Sequence, residues 1–179
     1  MTLYSFILLI HVTAVLILTA ALSFEVLSLL YLRGASTAAE ARPWLDPVPK
    51  LPVFAGAALL VILCSGIYLV TPMSKASQAW PHVAVASLFL MGPFGAITAR
   101  RMRAVRRAYR SSPALNPELL EQLRDPFLKT SLALRIAVFL GIFLLVSTKP
   151  GLWESIGLVG AFAALGLLSS LLAWRRRLP

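Results

Sequence analysis

Residues 3–32, LYSFILLIHVTAVLILTAALSFEVLSLLYL, decide the fold class of this chain. Glu25 is the only Asp, Glu, Lys or Arg in the stretch, which is longer than the roughly 20 residues that a helix needs to cross the hydrocarbon of a bilayer. It also exceeds the core of about 7–15 residues of a signal peptide and has no basic start, so we expect it to remain as a signal anchor. The stretch therefore predicts a membrane protein.

Four further stretches have the same apolar character. They are residues 51–71, 82–99, 126–146 and 152–174. The 179 residues are 59% apolar and 13% charged, with a mean hydropathy of +0.82, whereas soluble domains are roughly half apolar and about a quarter charged. The sequence predicts an all-α, polytopic bundle of five transmembrane helices that forms one domain over residues 1–179.

The basic residues divide unevenly between the two sides of this topology. Fourteen of the 17 Lys and Arg residues lie on the side that holds the first loop, residues 100–125 and the C-terminus. Lys75 and Lys149 lie on the other side, and Arg135 lies within the fourth span. Because Lys and Arg are enriched in cytoplasmic loops, we predict that the N-terminus is outside and the C-terminus is cytoplasmic.

The segment of residues 100–125 is strongly basic at its start. A helix that continues from the third span to Tyr109 would place Met102, Val105 and Tyr109 on one face and arginines around the remainder. This pattern predicts a cytoplasmic interfacial helix against anionic lipid headgroups. The net charge of +10 would favour nucleic acid in a soluble protein. Here the basic residues lie in the segments between the spans, so we predict membrane lipids as partners and no binding to nucleic acid.

Small residues four positions apart on the fifth span predict close contact between helices, because small side chains let two backbones approach in lipid. The pairs are Gly157 with Ala161, Gly160 with Ala164, and Gly166 with Ser170. Gly92 with Ala96 on the third span predicts the same kind of contact.

Several familiar chemistries are excluded by the residues present. Cys64 is the single cysteine, so an intramolecular disulfide, a CxxC pair and a cysteine-rich zinc site are ruled out. Neither a phosphate-binding glycine loop nor an HExxH motif occurs. Both aspartates lie on the inner side and both histidines on the outer side, which rules out a Ser-His-Asp triad. The residues predict no metal site of these types and leave open whether the protein is an enzyme.

Two charged residues lie deep within predicted spans. Glu25 and Arg135 are at comparable depth from the cytoplasmic ends of their helices. Either charge alone would be costly there, so we predict a structural ion pair between them. A role for Glu25 in proton transfer or substrate binding is the alternative.

The outer half of the bundle holds the possible ligands. His11 lies in the first span, and His82 opens the third. Imidazole ligates haem iron, while His11, Cys64 and Met91 together are the soft ligands that suit Cu(I). The simpler alternative is that His11 only forms a hydrogen bond between two helices.

Three segments resemble a superfamily of small bacterial membrane proteins. They are LLIHVTAVLILTAAL around His11, GIYLV closing the second span, and WPHVAV around His82. The superfamily includes the HemJ type of protoporphyrinogen oxidase and CopD-like copper-resistance proteins, and the likeness covers about the first 110 residues. It implies an inner-membrane protein that binds haem b through His11 and, more weakly, His82. Ala84 stands where the oxidase has a lysine, so the resemblance does not carry over the oxidase activity.

Three functions follow from these observations. The leading hypothesis is a haem-binding protein of the bacterial inner membrane, with a redox or haem-related role. The second is a non-catalytic scaffold or accessory subunit, in a homo-oligomer or a larger membrane complex. The third is a copper carrier that uses His11, Cys64 and Met91.

Overall fold

The structure, a computed structural model, describes residues 2–35, 37–45, 51–71, 79–111, 122–123 and 125–175. The described residues are helical and contain no strand. Lys75, residues 112–121 and 124 of the basic segment, and the C-terminal residues 176–179 lie outside them.

The described part of the chain forms six helices. They are α1 (Leu3–Gly34), α2 (Ala38–Leu45), α3 (Leu51–Val70), α4 (Trp80–Ser111), α5 (Pro126–Thr148) and α6 (Leu152–Arg175). All except α2 are long and apolar enough to span a membrane, which confirms the all-α fold with five candidate spans. The short helix α2 was not predicted, and α4 begins two residues before the predicted third span.

The ends of α5 show how the local sequence sets the helix bounds. Asp125 caps the first turn by accepting a hydrogen bond from the Phe127 backbone N–H at 2.9 Å, and Pro126 occupies the first turn, where its missing N–H costs nothing. At the other end Lys149 adopts a left-handed conformation with φ of 50°, and its N–H donates to Leu145 O at 2.9 Å. The chain therefore turns within three residues into α6.

The helices pack as two groups. α1 packs mainly on α3, and we call these two the first pair. α5 packs extensively on α6 and also on α4, and we call these three the second group. The first pair meets the second group through a smaller contact of α3 with α4 and a still smaller one of α1 with α5.

Within the second group, α5 and α6 touch at a glycine. A Cβ atom on Gly166 would lie 2.8 Å from the Ala137 Cβ and 2.9 Å from the Ala133 carbonyl oxygen, so only glycine fits at this backbone contact. Thr130 also donates to the Ser170 hydroxyl at 3.3 Å. The Gly166 and Ser170 pair thus forms the predicted close contact.

The other two small-residue pairs do not make such a contact in the described bundle. Gly157, Ala161, Gly160 and Ala164 are all exposed, and no described atom would lie within 4 Å of a Cβ on either glycine. The sequence pattern is the same, but α6 turns only one of its faces toward α5.

Charged side chains lie close together where α1 ends, α5 begins and the basic stretch of α4 passes them, and we call this the basic end. Arg33 on α1 donates to the carbonyl oxygens of Leu123 at 2.9 Å and Asp125 at 3.2 Å. Arg101 on α4 forms an ion pair with the Asp125 carboxylate. These bonds fix the three helix ends to one another.

Candidate intramembrane binding site

A bidentate ion pair joins α1 to α5 within the bundle. Arg135 Nη2 lies 2.5 Å from Glu25 Oε1, and Arg135 Nη1 lies 3.0 Å from Glu25 Oε2. Each residue is nine positions from the basic end of its helix, about 14 Å along the axis at 1.5 Å per residue. The structure therefore brings together the two residues paired on sequence grounds.

Helical periodicity explains why Glu25 points into the bundle. The buried positions of α1 recur every three or four residues and include Leu18, Leu22, Ser28 and Leu29. Glu25 falls on the same stripe, three residues after Leu22 and three before Ser28. Its carboxylate is therefore directed toward α5, where Arg135 lies on the buried stripe of that helix with its side chain 8% exposed.

A cavity of about 340 Å³ lies beside the ion pair, between the first pair and the second group. Most of its lining is apolar and comes from α1, α3 and α4, with Arg135 contributed by α5. The polar residues of the lining are Glu25, Ser28, Thr98, Arg106 and Arg135.

The cavity opens sideways between α3 and α4. Gly56 of α3 and Ala96 of α4 both line it and are both exposed at the surface of the bundle. Gly92, one helical turn before Ala96 on α4, also lines the cavity. A Cβ atom added to Gly92 would have no described atom within 4 Å. The close contact predicted for Gly92 with Ala96 is therefore wrong: together with Gly56 these small residues leave a gap between the two helices.

Ser28 and Arg135, which both line the cavity, each have a buried polar atom without a hydrogen-bond partner among the described residues. These atoms are the Ser28 hydroxyl, in a residue only 1% exposed, and Nε of Arg135. Thr98 in the same wall is bonded to Ser131 at 2.9 Å. Buried polar atoms without a partner are rare, because each costs about 1–3 kcal/mol. Ser28 was not predicted from sequence, although its position three residues after Glu25 is a usable signal.

His11 lies at the contact of α1 with α3, outside the set of residues that line the cavity. Its Nδ1 is 2.8 Å from Ser65 Oγ, which is also 2.5 Å from the Val61 carbonyl oxygen. A Ser65 hydroxyl that donates to that carbonyl accepts from Nδ1 when the ring is in the Nδ1-protonated tautomer, and the lone pair of that tautomer is on Nε2.

His82 faces a different direction. It is exposed, and it lies opposite the buried Trp80, Ala84 and Leu88 on α4. Its surroundings are a shallow apolar depression that includes Val70 and Phe89. The structure therefore places His82 on the outer surface of its helix, while His11 contacts α3.

The three residues of the copper hypothesis also lie in different surroundings. Cys64 is exposed, Met91 is buried in the cavity wall, and His11 is bonded to Ser65. In the part of the chain that is described, no three His, Cys, Asp or Glu side chains are grouped as metal ligands would be.

The basic stretch of α4 packs on protein along one face. Met102 and Val105 are buried together with Leu32 of α1 and Leu128 of α5, and Arg106 is only 6% exposed. Its neighbours Arg100, Arg101, Arg103 and Arg107 are exposed. The apolar face of this stretch therefore packs on α1 and α5, and α4 continues without a break past the end of its apolar stretch.

Comparisons of the chain with protein-family models, with curated proteins and with solved structures found no match. A proposal of function therefore depends on the chain's own geometry.

Proposed function

We propose that this protein is an integral membrane protein that binds a lipophilic small molecule within the bilayer. The observation that carries the proposal is the cavity of about 340 Å³ beside Glu25 and Arg135, with its sideways opening between α3 and α4. Small-molecule sites in proteins are clefts of roughly 300–1,000 Å³, mostly apolar, with a few polar groups that orient the ligand. This cavity has that size and that composition.

The direction of the opening supports a ligand that is dissolved in the membrane. Gly56 and Ala96 lie within helices long enough to span the bilayer, so a molecule that passes between them comes from the hydrocarbon. A space of this size left empty would lose dispersion contacts, so we expect the cavity to hold an occupant. A bundle that only had to pack would place larger side chains at Gly92 and Ala96.

Filling the cavity tests the proposal. We expect Gly92→Leu to reduce photolabelling of the purified protein, in lipid nanodiscs, by a long-chain alcohol that carries a diazirine. The loss should be about tenfold, because overpacking a site costs of order 1–3 kcal/mol. Gly157→Leu is the matched control, since that glycine also has open space around it but lies on the exposed face of α6. Equal labelling of the wild type and both variants would refute binding in this cavity.

We propose the orientation in which the basic end is cytoplasmic and the N-terminus is outside, in a bacterial inner membrane. The uneven division of Lys and Arg residues between the two sides of the five spans supports this orientation. In a Cys64→Ser background, we expect Thr148→Cys to react with a membrane-impermeant thiol reagent in intact cells and Thr37→Cys to be protected. Both positions are exposed, at opposite ends of the bundle. Labelling of Thr37→Cys with protection of Thr148→Cys would reverse the orientation.

A haem-binding role at His11 is the second candidate function. It is favoured by the hydrogen bond between His11 Nδ1 and Ser65, which orients the ring as second-shell bonds do for metal-ligating histidines. In the tautomer with its lone pair on Nε2, His11 would hold haem b as an axial ligand, and the haem would supply electron transfer. His82, on the outer surface of α4, does not fit as its partner within one chain.

Absorbance of the purified protein tests this second function. After expression with ample haem supply, we expect a Soret band in the wild type, loss of the band in His11→Ala, and no change in His82→Ala. Ser65→Ala should weaken the band by releasing the ring from its fixed orientation. A wild-type protein without a Soret band, or an undiminished band in His11→Ala, would leave only the cavity as a candidate site.

A further inference from the structure

We propose that the outward face of α4 at the basic end binds the phosphate of an anionic phospholipid through Arg100, Arg103 and Arg107, which we call the arginine face. This site lies outside the cavity and goes beyond the proposed function. It also narrows the lipid contact predicted for the whole basic segment to three side chains. Four observations support it: the spacing of the three arginines, their lack of acidic partners, the apolar surface that precedes them, and the direction of their side chains.

The three arginines occupy one side of α4. Arg103 and Arg107 follow Arg100 by three and seven residues. At 3.6 residues per turn, these spacings place the three Cα atoms within a sector of about 60°. All three residues are exposed, and α4 is helical without interruption through this stretch. The helix therefore presents three positive charges in one row, about 10.5 Å long at 1.5 Å per residue.

The charges of the arginine face are not neutralised within the described part of the chain. None of the three forms an ion pair with a described aspartate or glutamate. Their neighbour Arg101 is different, because it pairs with the Asp125 carboxylate and its guanidinium carbon lies 4.3 Å from the centroid of the Phe127 ring. The contrast leaves the arginine face as an exposed cationic surface that an external anion complements.

The same side of α4 is apolar and exposed in the turns before Arg100. Ala96, Pro93 and Phe89 precede Arg100 by four, seven and eleven residues, which places them within about 40° of it around the helix. All three are exposed, and Phe89 is 73% exposed. They belong to the apolar part of a helix able to span a membrane. A partner that contacts both parts of this surface carries hydrocarbon chains and an anionic head in one molecule, which favours a phospholipid over a free phosphate ion.

The arginine side chains are directed back toward the hydrocarbon. In a helix the Cα–Cβ bonds tilt toward the N-terminus, and the N-terminus of α4 is at the end opposite to the arginines. Arg103 follows this rule, since its Nε donates to the Ala99 carbonyl oxygen four residues earlier at 3.3 Å. Its two terminal nitrogens have no acceptor among the described residues. A guanidinium can donate two parallel hydrogen bonds to phosphate oxygens, so this geometry suits a lipid headgroup at the edge of the hydrocarbon.

The experiment measures which lipid lies beside this surface. Ile97→Cys, at an exposed position three residues before Arg100, is labelled with bimane in the full-length Cys64→Ser protein. The protein is reconstituted in phosphatidylcholine vesicles that contain increasing amounts of chain-brominated phosphatidylglycerol or chain-brominated phosphatidylcholine, and the bromines quench bimane on contact. We expect the anionic lipid to quench at about fivefold lower mole fraction, the effect of one cation near an anionic headgroup. Millimolar inorganic phosphate should leave this preference unchanged.

Substitutions to glutamine assign the preference to the arginine face. We expect the triple variant Arg100→Gln/Arg103→Gln/Arg107→Gln to be quenched equally by both lipids. Its thermal unfolding in a neutral detergent should match that of the unsubstituted protein, because these exposed side chains form no ion pair with the described residues. Arg101→Gln is the matched control, since it removes one positive charge from the same turn but from an arginine already paired with Asp125. It should keep the preference.

Several outcomes would overturn the proposal. Equal quenching by the two lipids before any arginine is replaced would show that this surface has no anionic lipid site. A preference that survives in the triple variant, or that Arg101→Gln removes as completely, would show that the arginine face does not bind the headgroup. Loss of the preference in inorganic phosphate would identify a site for a free anion. Gly92→Leu should leave the preference intact, and its loss there would assign the lipid to the cavity instead.

Discussion

Arg135→Met is expected to lower the free energy of unfolding by about 3–5 kcal/mol, because Glu25 is left as an unpaired carboxylate in the middle of the bundle. Glu25→Gln should lower the free energy of unfolding by less than Arg135→Met does. The arginine then loses its charge partner but keeps the amide oxygen of the glutamine as a hydrogen-bond acceptor. Denaturant or thermal unfolding of the purified protein in detergent micelles measures both changes.

The double variant Glu25→Gln/Arg135→Met decides whether the two residues act as a pair. It should be more stable than Arg135→Met alone, because no charge remains without a partner. Arg101→Gln is the control, since its ion pair with Asp125 is exposed and such pairs contribute about 0–1 kcal/mol. Strictly additive effects of the two changes at the buried pair would show that Glu25 and Arg135 are not coupled.

Gly166→Leu is expected to separate α5 from α6, with a loss of stability of at least about 3 kcal/mol. A Cβ alone would lie 2.8 Å from Ala137 and 2.9 Å from the backbone oxygen of Ala133, so the helices must move apart before any side chain fits. Overpacking against side chains costs about 1–3 kcal/mol, and a backbone obstacle cannot rotate away. Gly166→Ala should already show a measurable part of the effect.

Gly160 provides the matched control on the same helix. It is exposed, and no described atom would lie within 4 Å of its Cβ, so Gly160→Ala should be neutral or slightly stabilising. Chemical unfolding of the two alanine variants side by side measures the difference. If Gly160→Ala is as damaging as Gly166→Ala, the exposed face of α6 is also a packing surface.

Much of the fold could be predicted because a bilayer imposes simple requirements on a sequence. The lengths of the apolar stretches and the charges between them predict five spanning helices, and the structure has five helices of that kind. Glu25 and Arg135 could be paired because a charge in hydrocarbon needs a partner, and only these two lie at matching depth. The sequence was most informative at positions where a misplaced group would cost several kcal/mol of stability.

The directions of the helix faces could not be predicted in the same way. Lipid and protein interior are both apolar, so the periodicity of a spanning helix does not show which face packs. Three small-residue pairs on α6 look alike in sequence, yet only Gly166 with Ser170 meets α5. His82 likewise lies on the outward face of α4 although its sequence context suggested an interior ligand.

The cavity could not be predicted because it belongs to no single helix. It arises where α1 and α3 face α4 without filling the space between them. Glu25, Arg135 and Met91 of its lining could be singled out from the sequence, as an ion pair and a possible copper ligand, and neither interpretation predicts a cavity.

The division of the helices into two groups leads us to expect an order of assembly. α5 and α6 are joined by a three-residue turn, and α1 and α3 are near neighbours in the chain, so each set can associate in the bilayer from segments that are inserted close together in time. We expect the last step to be the docking of the first pair on the second group, in which the Glu25 carboxylate meets the Arg135 guanidinium. The cavity, which is lined from α1, α3, α4 and α5, would then form only at that step.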